Sequence, residues 1–203
     1  MQVHPRPVAA THPRLRARKD DEVSRICIVS AKRTPHGRFP GALANRSAVD
    51  LAVAAGEATL AAIGAEHIDQ VIVGNILSAG QGMNVARQVG MGVGVPQDRP
   101  AFTVNMMCAS GLQAVILAAQ AIRAGEARVV LCGGTESMSN APYLLDRARG
   151  GYQLGDGVLI DSLLRDGLID TFSGEHMALT TEKLAETYEM ALLEAINGRG
   201  AFG

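Results

Sequence analysis

Cys108 stands ahead of three small residues, Ala109, Ser110 and Gly111, and of a long apolar run that reads as a helix. The first-turn N–H groups of a helix lack partners and carry partial positive charge. A thiol at such a start has its pKa drawn down from about 8.5, because the thiolate is the form those N–H groups favour. The same groups can receive the oxyanion that forms when a thiolate attacks a carbonyl. Cys108 is thus placed to accept an acyl group. Position alone leaves a second reading open, a small inert thiol buried at a tight junction, since free cysteine is among the most buried residue types. Other chemistry is harder to find. No G-x-G-x-x-G follows the first predicted strand, and no G-x-x-x-x-G-K-[ST], H-E-x-x-H or G-x-S-x-G occurs. The histidines, at 4, 12, 36, 67 and 176, lack the spacing of zinc ligands.

The elements that must position Cys108 alternate. Ile26–Ala31 is a β-branched run and predicts a buried strand; 32–46 is rich in turn formers. A helix is predicted from Ser47, a natural N-cap, to Ile63, stopped by Gly64. Val71–Val73 predicts a second strand, 84–91 a short helix, 101–105 a third strand. The helix 109–124 closes at Gly125 and is apolar almost all round, so it is expected to be buried on most sides. Residues 128–132 predict a fourth strand. From 138 to 175 the pattern breaks into glycines, acids and scattered aliphatics, an inserted loop region. Helical character returns from Ala178 to about Ile196. This alternation predicts an α/β fold with a mostly parallel sheet, layered between helices. Chemistry in such sheets lies beyond the carboxyl ends of the strands, here the loops 32–46, 74–84, 105–109 and 132–140.

Composition narrows the class. The chain has 203 residues, with 19 basic and 20 acidic side chains. Near-neutral charge argues against nucleic acid as a partner, which calls for a basic face. Glycine (23) and alanine (31) exceed a quarter of the residues while Trp is absent, so the core must pack small side chains at short backbone distances. Three cysteines with no C-x-x-C do not make a disulfide framework and point to a reducing, cytoplasmic compartment. Residues 1–24 begin with five basic side chains and no acid before Asp20; Pro5, Pro7 and Pro13 break any amphipathic helix, so a disordered basic tail is expected. Residues 100–122 carry no charge, but Pro100, Asn105, Ser110, Gly111, Gln113 and Gln120 interrupt them. A buried strand and helix explain the run better than a membrane span.

The string NMMCASGLQAV (105–115) resembles the nucleophile region of the thiolases, the acyl-CoA acetyltransferases. AKRTPHGRFPGAL (31–43), VIVGNILSAGQGMNVARQVGMGVGVP (71–96), GGTESMSNAPYLL (133–145) and DGLIDTFSGEHMALTTEKLAE (166–186) resemble further thiolase segments, in the family's order and spacing. The resemblance implies a thiolase-like amino-terminal α/β domain over 25–137, and the start of a loop domain, expected to be truncated, over 138–203. It implies that Cys108 becomes acylated. It implies that Leu168, His176 and Met177 line the channel for the coenzyme A pantetheine arm and the acyl pocket, and that 138–168 helps pair dimers into tetramers. No metal and no resident cofactor is implied; acetyl-CoA or another acyl-CoA is the substrate, and a homodimer or homotetramer the assembly. Cys132 is read as strand packing and His36 as a loop histidine.

Thiolase chemistry also uses a G-H-P histidine that activates the nucleophile and a C-x-G cysteine that acts as second base, both in the family's carboxyl-terminal half. The chain is expected to lack both groups. Residues 190–203 depart from the family's pattern, so an incomplete chain with little activity alone, poorly soluble or associating non-natively, is expected. Three readings follow. The first is an acyl-CoA acetyltransferase working through an acyl-cysteine. The second is a non-catalytic acyl-CoA-binding or subunit-interaction remnant. The third is a ketoacyl-synthase-like condensing enzyme, against which GGTESMSNAP and SGEHM speak.

Overall fold

Ser47 starts the first helix, α1 (Ala48–Leu60), through a reciprocal cap. Its hydroxyl accepts the Asp50 N–H at 3.0 Å while the Asp50 carboxylate accepts the Ser47 N–H at 3.0 Å. The computed structural model describes residues 25–188. The basic tail, the end of the last predicted helix and the divergent ending therefore lie outside the described residues. After α1 come β1 (Gln70–Gly74), α2 (Val85–Gly92), β2 (Ala101–Val104), α3 (Ser110–Ala124) and β3 (Val130–Gly134). A short pair follows, β4 (Tyr143–Leu145) and β5 (Leu159–Asp161), then α4 (Met177–Thr187).

The main sheet is parallel, in the order β2-β1-β3, with Ile72 opposite both Phe102 and Cys132. From β1 the chain steps to one side through α2, then back across to the other side through α3. Right-handed crossovers in opposite directions put their helices on opposite faces. Side-chain alternation shows this: Val71 and Val73 pack with Leu60, Ile68, Val85, Val89 and Val95 on the α1/α2 face, whereas Ile72 packs with Ala114 and Ala118 of α3. The fold is the layered α/β arrangement expected. Each fully buried aliphatic is worth about 1.5–3 kcal/mol, so most of the apolar stabilisation sits on the α1/α2 face. The α3 face is held by small residues at close range.

Three expectations differ from the structure. Ile26–Ala31 is not a strand; Ile28 and Val29 are 80% and 72% exposed. A β-branched run prefers a pleated, paired surface, and no described strand offers this run a ladder. Second, α3 is not buried on most sides. Ala114, Ala118 and Ala121 face the sheet, while Leu112 (65% exposed), Val115 and Ile116 face outward. Met107–Ala124 has the length and apolarity of a membrane span, yet here it divides into a turn and a helix lying along the sheet. Third, β3 starts two residues late. The Arg128 and Val129 N–H groups both donate to Asp69 Oδ2, at 2.8 and 3.2 Å, so the ladder opens only at Gln70 and Val130.

That Asp69 clasp carries a pH prediction. The two N–H donors, of Arg128 and then Val129, hold the Asp69 carboxyl below its ordinary 3.8, with help from the Arg128 guanidinium. Asp50 is lowered in the same way by the Ser47 backbone and hydroxyl. A carboxylate depressed in the fold stabilises it above the unfolded pKa, and that contribution is lost as pH falls through the folded pKa. The urea midpoint is expected to fall progressively below about pH 5. Asp69→Asn should lower it at pH 7 and flatten the acid slope; an unaltered slope would remove Asp69 from the cause.

Candidate functional site

Asn105 to Ser110 form the turn that delivers Cys108. Met107 adopts a left-handed φ of 49°, rare for a side chain of its size. Two side chains hold it there. Asn105 Oδ1 accepts the Met107 N–H at 2.9 Å; Ser110 Oγ accepts the Met106 N–H at 2.8 Å and donates to the Met107 carbonyl at 2.6 Å. Ser110 is buried and Cys108 is exposed. No side chain caps the start of α3, so the first-turn N–H groups beside the thiol are not covered by one. The expected placement of Cys108 at the mouth of this helix is the observed one.

Glycines set the depth of the helix. A Cβ on Gly74, the last residue of β1, would lie 2.4 Å from the Ser110 carbonyl carbon and 2.7 Å from the Gly111 nitrogen. One on Gly134, the last residue of β3, would lie 3.0 Å from Gly111 Cα. The first turn of α3 therefore rests directly on the carboxyl ends of two strands. Sequence reasoning did not single out Gly74 or Gly134; the signal was a glycine ending each of two apolar strands.

A second set of contacts shapes the wall. Glu136 Oε2 accepts the N–H groups of Ile76 and Leu77 at 2.9 and 3.2 Å, and Oε1 accepts Asn75 Nδ2 at 3.0 Å. Asn75 Nδ2 also donates to the Thr135 carbonyl at 3.1 Å, which fixes the amide's orientation. Asn75 is only 2% exposed, and its Oδ1 has no hydrogen-bond partner among the described residues. Thr135 Oγ1 and Ser137 Oγ each donate at 2.7 Å, to the carbonyls of Ala48 and Arg46. The loops after β1 and β3 are thereby tied to each other and to the entrance of α1.

These loops enclose a cleft of about 710 Å³. Its wall takes residues from 32–44, 74–76, 107–111 and 134–139, with Cys108 among them. All four loops marked from the sequence contribute. His36 also lines the cleft, with Arg33 Nη2 donating to its Nδ1 at 2.9 Å.

Leu168, His176 and Met177 do not line this cleft. The structure brings them to one another instead, through an antiparallel bridge between Ile169 and His176. Leu168 and His176 are half-buried and Met177 is exposed. His176 caps α4, its Nδ1 accepting the Ala178 N–H at 3.2 Å, which leaves Nε2 as the ring's free donor. Cys132 packs beside Ile72, Ala114 and Ala118, and burial pushes its thiol up. Iodoacetamide at pH 7 is expected to modify Cys132 at least about tenfold more slowly than the exposed Cys27 and Cys108, because a raised pKa depletes the reactive thiolate. Peptide mass spectrometry over time reads this; equal rates would mean that the thiol is open to solvent.

Comparison with known proteins follows the same lines. Residues 26–193 match the family described as Thiolase, N-terminal domain. The chain is similar to an acetyl-CoA acetyltransferase of Escherichia coli, 51% identical over 164 residues, covering 79% of this chain and 42% of that protein. It is 44% identical over 165 residues to an acetyl-CoA acetyltransferase of Cupriavidus necator, covering 80% and 42%. Among solved structures it is similar to Acat5 thiolase from Ascaris suum in complex with coenzyme A, with a TM-score of 0.75 and 39% identity over 80% of this chain and 42% of that one. The chain thus spans under half the length of these relatives.

Proposed function

Given that this chain belongs to the thiolase family through its amino-terminal domain, we propose that Cys108 accepts the acyl group of an acyl-CoA thioester. The thiolate carbon–sulfur bond forms as the carbonyl opens to a tetrahedral oxyanion. The bond to the coenzyme A sulfur then breaks, leaving acyl-Cys108 and free coenzyme A. The Ser110 N–H is taken by the Met107 carbonyl, so the oxyanion is assigned to the N–H groups of Gly111 and Leu112 in the first turn of α3, whose fixed dipoles stabilise negative charge without reorganisation. Leu168, His176 and Met177 form the wall along which the pantetheine arm lies, with His176 Nε2 as the free donor. Relatives named acetyl-CoA acetyltransferase, and a related structure bound to coenzyme A, support this substrate class.

The observation that carries the reading is the exposed Cys108 thiol beside a helix start that no side chain caps, within a cleft. Full turnover needs a base for the α-carbon of a second acyl-CoA, and no G-H-P occurs in the sequence to help activate the nucleophile. The step assigned to this domain is acyl transfer to Cys108, and the odd number of cysteines with no C-x-x-C favours a reducing, cytoplasmic setting for it. Exposure to acetyl-CoA, followed by mass spectrometry of the Cys108 peptide, tests this. One acetyl group per chain on that peptide is the expected result. Saturable coenzyme A binding with no acylated peptide would favour the non-catalytic acyl-CoA-binding reading.

A further inference from the structure

We infer that Asn105 is a positioning residue for Cys108: from the end of β2 its amide oxygen holds Met107 in the left-handed backbone that presents the thiol to the cleft. The inference rests on Cys108 as the reacting group, as in the acyl-transfer reading above. Among the described residues three besides glycine have positive φ, Asn84, Met107 and Arg147. Asn84 is of a type that tolerates this region and caps α2, and Arg147 lies in an exposed turn. Met107 has no such allowance, and its φ of 49° is a strained one for a long side chain. Strain of this kind persists only where the surrounding structure over-determines it, and it gathers where geometry matters to chemistry.

Asn105 acts from a fixed base. It is the first residue beyond β2, and the Asn75 N–H donates to the Val104 carbonyl at 3.1 Å, which pins the strand end beside it. The chain then makes two overlapping turns, with the Ala109 N–H donating to the Met106 carbonyl at 3.2 Å and the Ser110 N–H to the Met107 carbonyl at 2.9 Å. Cys108 is central to both. These turns use the Met107 carbonyl and leave its N–H to Asn105 Oδ1. Ser110 is buried at the start of α3, so its loss would reach the fold; Asn105 is exposed and does not itself line the Cys108 cleft. Without the Asn105 bond Met107 can leave the left-handed region. The Met107–Cys108 peptide then swings, and the thiol moves off the positive end of α3. The alternative, an ordinary turn-forming asparagine, predicts lost stability with unchanged chemistry at Cys108.

The test follows the Cys108 peptide of the full chain by mass spectrometry, with iodoacetamide and, separately, acetyl-CoA as reagents. Asn105→Ala is expected to lower the iodoacetamide rate constant at Cys108 by about tenfold, the scale of one ordinary hydrogen bond. The rate at the exposed Cys27 serves as internal reference and should not change. With acetyl-CoA the maximal acylation rate should fall by a similar factor while the half-saturating concentration stays at the parental value, because positioning acts on the reacting step and not on binding. A variant that lost stability to urea but kept both Cys108 rates would overturn the inference.

A second background separates the held backbone from any direct effect of the amide. Glycine takes up left-handed backbone about as readily as right-handed, so in Met107→Gly the turn no longer has to be held against strain. There Asn105→Ala should change the Cys108 alkylation rate by less than about twofold. A loss as large as in the parent background would overturn the inference, since Asn105 would then act by another route. If the alkylation pattern holds while acetyl-CoA acylates neither the parent nor any variant, the positioning of Cys108 stands and the acyl-transfer reading falls. Acylation that Asn105→Ala leaves untouched removes the positioning role and keeps the acyl-transfer reading.

Discussion

Cys108→Ser is expected to abolish acyl transfer from acetyl-CoA, lowering the rate of peptide acetylation by at least about 10³-fold while leaving the unfolding free energy from urea titration within about 0.5 kcal/mol of the parent. A serine hydroxyl is a weak nucleophile without an adjacent base, whereas a cysteine thiol is already partly ionised near neutral pH. Among the described residues no side chain is hydrogen-bonded to Cys108 to act as such a base for the serine. The substitution changes one atom at an exposed position, so packing is untouched. Acetylation that persisted in the variant would move the acceptor to another residue and remove the role given to α3.

Gly74→Ala should be the most damaging single methyl addition in the described chain. The new carbon would meet backbone atoms of Ser110 and Gly111 at 2.4 to 2.7 Å, and backbone cannot rotate aside. Overpacking of this kind costs about 1–3 kcal/mol. The cost falls on the α3 face, where alanines rather than large aliphatics hold the helix. The expected result is a lowered urea midpoint together with loss of Cys108 acylation, as the helix start is pushed off the sheet. Gly133→Ala is the matched control, since a Cβ there meets nothing within 4 Å; it should leave both readouts close to parental. Equal effects from the two would mean that loss of glycine flexibility, and not the contact with α3, is responsible.

Local signals in the sequence were sufficient where local physics decides. Ser47 with Asp50 marks a helix start, Gly125 closes α3 at a φ of 76°, and Cys108 before small residues marks the turn into it. The four loops marked by alternation all line the cleft, although the strand expected ahead of 32–46 does not form. What sequence could not supply depends on residues far apart along the chain. Ile26–Ala31 has strand composition, but composition does not say whether a neighbour will pair with it. Leu112, Val115 and Ile116 look like core, but apolarity does not say what covers them. The Glu136 clamp on Ile76 and Leu77 spans about 60 residues, and a lone acid after two glycines gave no sign of it. Nor does the order of motifs along the chain reveal the bridge between Ile169 and His176 that brings Leu168 close to His176 and Met177.

The position of β1 at the centre of its sheet has a consequence during synthesis. Gln70–Gly74 leaves the ribosome before either strand that flanks it. Its second partner, β3, is complete only at Gly134, 60 residues later. At about 5–20 residues per second that interval is roughly 3–12 seconds. Throughout it the edge of β1 that β3 will cover stays open to unrelated nascent chains, so slowing translation between codons 75 and 134 should lengthen its association with holdase chaperones.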